Sequence, residues 1–145
     1  MRPTPTELIR IAKQVRKAIK PFYLFALFVA KQLENVPYHT VTTHFVYELI
    51  ASFDDIKNDI MTAFGLETIR YEIQSSKIEP YTVVKEITKH AWNLIKMTEK
   101  ILTKPNGKPI KLPTKDDLLN SYLMLEEHII LLIVWFDSYL RHMYN

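Results

Sequence analysis

Four stretches of this chain carry apolar residues spaced three and four apart, and prolines fall between them. That spacing belongs to the α-helix, with one face turned toward a core. The first stretch opens on Thr4-Pro5-Thr6-Glu7, which has the form of a capping box: a hydroxyl at the cap, proline at the first helical position and a carboxylate at the third. Leu8, Ile11, Val15 and Ile19 follow as one face. Pro21 is predicted to kink this helix or split it in two, because proline removes a backbone hydrogen bond. Phe22–Glu34 continues as helix, apolar on most sides, and Pro37 ends it.

The second helix is expected to begin near Thr42 or Thr43. Phe45, Leu49, Phe53 (or Ser52), Ile56, Ile60 and Phe64 form its stripe, and Gly65 is its natural C-terminal cap. A third opens at Pro80, carries Val83, Ile87, His90 (or Ala91), Leu94, Met97 and Ile101, and ends before Pro105. The fourth begins at a further capping box, Thr114 to Asp117, and runs to about Met143. Between the second and third, Thr68–Ile73 alternates briefly, as a strand would. A lone strand has no partner here, so the segment reads as irregular or short helix. The expected fold is all-α: one domain over residues 1–145, a four-helix bundle, up-and-down-like, with long helices and a short irregular segment near 66–79. Helices of about 25 residues rise roughly 37 Å, and axes about 9 Å apart make a rod roughly 20 Å across.

Composition removes whole classes of function. With no cysteine, there is no disulfide scaffold, zinc finger, iron–sulfur site or thiol nucleophile. Two glycines, Gly65 and Gly107, cannot write a dinucleotide fingerprint or a P-loop. The opening MRPTPTELIR is polar, so no secretory signal is expected. The apolar runs Phe22–Ala30 and Ile129–Phe136 fall well short of the roughly 20 residues of a membrane span, and are expected to be buried helix centres. No membrane partner is expected. Isoleucine, lysine and tyrosine are abundant, and a Lys/Glu/Ile-rich, Cys-free chain fits a thermophilic source, where ion desolvation costs less.

Catalytic and metal motifs were sought among the histidines and paired acids. There is no H-E-x-x-H. The Glu-x-x-His pairs of di-iron bundles are approached only by Glu86-x-x-x-His90 and Glu127-His128, both at other spacings. Asp54-Asp55, Asp116-Asp117 and Glu126-Glu127 are adjacent acids, which diverge by about 100° on a helix and fit solvated faces better than a catalytic pair. The reading is a protein that is not an enzyme and has no catalytic residues, metal ligands or cofactor.

Charge is the stronger signal. The net charge is +3, but residues 1–20 hold six cations against Glu7 alone. Arg10, Lys13, Lys17 and Lys20 recur at helical spacing, with Arg16 beside them. A second basic segment contains Lys104, Lys108 and Lys111 around the turn signal Asn106-Gly107. The second helix is opposite in sign, with Glu48, Asp54, Asp55 and Asp59 against Lys57. Arg10, Lys13, Arg16, Lys17, Lys20, Lys104, Lys108 and Lys111 are therefore the candidate partner-binding residues. The same cations would also serve as the solvated face of an amphipathic helix. The aromatics, Phe22, Phe28, Trp92 and Trp135 among them, are expected in the core.

The whole length, the four-helix pattern, the absence of cysteine and the Ile/Lys/Tyr-rich usage together resemble the small helical proteins of archaeal viruses. In particular the chain resembles the RNA polymerase inhibitory proteins of two-tailed viruses, which are related to four-helix-bundle viral coat proteins. No short motif carries the likeness, so it assigns no individual residue. It implies a viral transcription regulator that binds host archaeal RNA polymerase in or near its DNA-binding channel and inhibits transcription, acting in the host cytoplasm. The alternative it implies is a virion structural protein, coat or nucleoprotein, that binds DNA. Weak non-specific DNA binding and the oligomeric state stay open in both.

Overall fold

The computed structural model describes residues 5–35, 40–66, 79–103 and 111–144. They form α1 (Pro5–Asn35), α2 (Thr40–Phe64), α3 (Pro80–Thr103) and α4 (Lys115–Tyr144). The expected all-α four-helix bundle is present. The expected irregular segment falls largely on residues 67–78, outside the described residues, as does the cap at Thr4.

Helix ends follow the sequence. Thr114 Oγ1 accepts from the Asp117 amide at 3.1 Å, while the Asp117 carboxylate accepts from the Thr114 amide at 2.8 Å. This reciprocal pair satisfies two amides at the start of α4. Gly65 has φ +70°, and it closes α2 with Gly65 N–H to Thr62 C=O at 3.1 Å and Leu66 N–H to Met61 C=O at 2.9 Å. These are the two bonds of a Schellman motif, which needs a left-handed residue at the glycine. Pro80 stands at the first position of α3, behind a Val83 N–H to Glu79 C=O bond of 3.2 Å.

Pro21 does not split α1, which is one helix of 31 residues. Ile19 and Phe22 are buried on one face while Pro21 is exposed on another. The missing amide strands the Lys17 carbonyl on the wet side, where water can bond it, so the buried stripe runs through unbroken.

Side-chain pairs fix the helix directions. Arg16 meets Glu99 and Tyr23 meets Trp92, so α1 and α3 are antiparallel. Phe22 meets Phe53 and Phe28 meets Phe45, so α1 and α2 are antiparallel too. Tyr47 meets Phe136 and Phe64 meets Tyr122, which makes α2 and α4 antiparallel. The order around the bundle is thus α1, α2, α4, α3, while in chain order the directions are up, down, down, up. Phe64 and Pro80 lie at opposite ends, which refines the simple alternation that short connections would impose.

The core draws one stripe from each helix, such as Ile11, Val15 and Ile19 of α1 and Leu118, Tyr122, Leu125, Ile129 and Leu132 of α4. Phe53 of α2 sits between Phe22 and Tyr122, with ring centroids at 5.6 and 6.4 Å. Among the described residues, α4 alone is long and apolar enough to cross a membrane, over Lys115–His142. Here its buried stripe is the bundle's core. Both apolar runs turn out one-sided. Phe22, Ala26 and Val29 are buried while Leu24 is 64% exposed and Phe28 45%. Ile129 and Leu132 are buried while Ile133 is 43% exposed. Trp92 is also exposed, contrary to its expected place in the core. An α-helix in a four-membered ring has only one inward side, so apolar residues elsewhere on it stay wet.

Candidate functional site

The basic stripe of α1 follows from its apolar stripe. With Ile11, Val15 and Ile19 inward, residues 10, 13, 17 and 20 project outward, and all four are exposed. They are not equivalent. Arg16, half-buried, puts Nε 3.1 Å from Glu99 Oε1 on α3, and Lys20 Nζ lies 3.9 Å from the same oxygen. Those two cations are partly spent on the α1/α3 seam. Arg10 donates to Gln14 Oε1 at 3.2 Å. Lys13 and Lys17 form no ion pair among the described residues.

Lys111 is exposed just ahead of α4. The antiparallel pairing of α1 with α3 brings it to the same end of the bundle as Arg10. Lys104 and Lys108 lie outside the described residues. The described candidate cations of α1 thus lie along the N-terminal half of that helix, and Lys111 lies at the same end of the bundle.

α2 flanks this stripe and carries acids on more than one side, with Asp54 turned to the groove it shares with α4. Glu48, Asp54, Asp55 and Asp59 are all exposed. Lys17 and Pro21 of α1 and Asp59 of α2 line the groove between the two helices. A second groove, of about 290 Å³, lies between α2 and α4 and is lined by Tyr47, Ile50, Ile130 and Ile133. Glu126, only 3% exposed, also lines it.

A histidine cluster lies across the α3/α4 seam. One potential ligand atom from each of Glu86, His90 and His128 lies within 4.8 Å of the other two. Glu86 Oε2 is 3.6 Å from His90 Nε2, beyond hydrogen-bond length, and the two imidazole centroids are 5.3 Å apart. His90 Nε2 is buried and has no hydrogen-bond partner. Its side chain is 12% exposed. Burial first, and then the charge of His128, hold the His90 pKa below the ordinary imidazole value, against an opposing pull from Glu86. His128 Nδ1 donates to the Met124 carbonyl at 2.7 Å. Ser121 Oγ donates to the His90 carbonyl at 3.3 Å and ties α4 to α3 beside the cluster.

The sequence pointed at both halves of this cluster and did not join them. Glu86 and His90, four apart, share a helix face, and four is also the spacing of the two histidines in the helical zinc motif. That was the available signal. The third member sits on another helix, 38 residues on, and no short spacing can show it.

No family model matches the chain, and no curated protein or solved structure matches it.

Proposed function

We propose that this chain is a non-enzymatic binding protein that docks on host archaeal RNA polymerase, in or near its DNA-binding channel, and inhibits transcription. The observation that carries the reading is the exposed stripe of Arg10, Lys13 and Lys17 on α1, together with the equally exposed acids of α2, of which Asp59 shares a groove with Lys17. A rod roughly 20 Å across is about as thick as the duplex that such a channel holds. The basic stripe would meet acidic elements of the rim, and the acidic α2 face would meet the basic channel wall. Charges of this kind steer encounter and set register more than they set affinity. In this reading the protein works in the cytoplasm of a thermophilic host.

A specific observation favours a second reading, a virion coat or nucleoprotein. Leu24, Phe28, Tyr47 and Ile133 are exposed large apolar side chains, of the kind that self-association covers.

Promoter-directed transcription by purified archaeal polymerase, titrated with this protein with and without excess competitor DNA, separates the two. Inhibition that survives competitor, and weakens several-fold for the Lys13→Glu/Lys17→Glu double variant, is the expected result. Inhibition abolished by competitor would hand the stripe to DNA and the protein to the second reading. An absence of inhibition at several-fold molar excess would end the polymerase reading.

A further inference from the structure

We propose that Glu86, His90 and His128 bind a divalent transition-metal cation of the zinc class, holding it across the α3/α4 seam. Two imidazoles and one carboxylate make a donor set suited to Zn²⁺, Co²⁺ or Ni²⁺ rather than to Mg²⁺ or Ca²⁺, which prefer oxygen alone. Bonds of about 2.0–2.1 Å to a tetrahedral ion place neighbouring donor atoms about 3.3 Å apart. Glu86 Oε2 and His90 Nε2 already stand at 3.6 Å. The full cluster spans no more than 4.8 Å, a distance that small side-chain rotations close.

Two further features prepare these donors. His90 Nε2 is buried and lacks a hydrogen-bond partner, so a ligand there displaces no protein contact. A carbonyl oxygen can only accept, so the 2.7 Å contact with Met124 fixes the proton of His128 on Nδ1. The lone pair of His128 is then on Nε2, and the Met124 carbonyl acts as the outer support that metal-bound histidines ordinarily have. Three protein donors leave one position of a tetrahedral ion for water or for a partner's side chain. The site is on the α3/α4 seam and takes no residue from the α1 stripe, so it stands or falls independently of the polymerase reading.

The test uses the full chain, stripped with a chelator and titrated with ZnCl₂ by calorimetry and with CoCl₂ by visible absorption. One equivalent should bind, Co²⁺ should show the intense band of a tetrahedral site, and bound Zn²⁺ should raise the melting temperature. His128→Ala removes a half-exposed ligand and should weaken binding by more than about tenfold. Glu86→Gln, also at a half-exposed position, should weaken it less, and Lys89→Ala should leave it unchanged. Circular dichroism of the stripped variants reports whether each is folded, and Glu86→Gln carries the test if His128→Ala is not. No binding to the stripped wild-type chain would overturn the proposal. Binding that survives substitution of both His128 and Glu86 would do the same, because the ion would then sit elsewhere.

Discussion

The end of the bundle where α1 begins and the end where α4 finishes are built differently. At the first, α4 starts on the reciprocal Thr114–Asp117 cap, α2 closes on Gly65, and Arg16 reaches Glu99 across the seam. Buried residues recur there every three or four positions, and the outer face is charged. At the second end the buried repeat of α4 stops at Leu132. Beyond it, Trp135 stacks on Tyr139 and Phe136 meets Tyr47, and none of the four is fully buried. The difference teaches that apolar content and core content are separate quantities. α4 begins with enclosure and a cap, while at its finish its rings lie at the margin of the core and against each other, where local ring pairs add only about 0.5–1.5 kcal/mol each.

Truncations at matched residues would break that comparison most directly. Leu118→Ala, at a fully buried site of the first end, should lower unfolding free energy by about 2–5 kcal/mol. Leu140→Ala, at the other end and only partly buried, should cost less than about 1 kcal/mol. Urea denaturation of the two variants checks this, and equal losses would mean that α4 is enclosed along its whole length. Next in size is the cap. Thr114→Ala should cost about 1 kcal/mol, read as a lower thermal midpoint, because the Asp117 amide loses its acceptor. The smallest effect sharpens the functional side. The Lys13→Glu/Lys17→Glu variant should unfold within about 0.5 kcal/mol of the parent chain, since neither lysine has an ion-pair partner among the described residues. A larger loss would show that the stripe is part of the fold rather than a surface free to contact a partner.

Much of the architecture was written locally. Proline, glycine and hydroxyl–carboxylate pairs act on the residues beside them, and so Pro80, Gly65 and Thr114 each marked a helix end that the structure has. Of the two outcomes expected at Pro21, a kink or a split, the split does not occur for a tertiary reason: a helix held on both sides by buried Ile19 and Phe22 tolerates a missing hydrogen bond that faces water. The ring order and helix directions were not legible, because they depend on which stripe meets which. Spacing within one helix carries no such information. The basic face was legible as a stripe, but the division of its cations between seam and solvent was not. Glu99, 83 residues from Arg16, is what separates the seam cations from Lys13 and Lys17. The histidine cluster failed to show for the same reason, since it exists only once α3 and α4 are in register.

The up-down-down-up order has an electrostatic consequence. Every pair of neighbours around the ring is antiparallel, and only the diagonal helices run the same way. Each end of the bundle therefore presents two helix N-termini and two C-termini. Their partial charges, about half an electron apiece and opposite in sign, cancel to first order. The backbone gives neither end a net field. What an approaching molecule feels at the end where α1 begins comes from side chains, Arg10 and Lys111 set against the exposed Asp116 and Asp117, in a field that salt screens within about 10 Å.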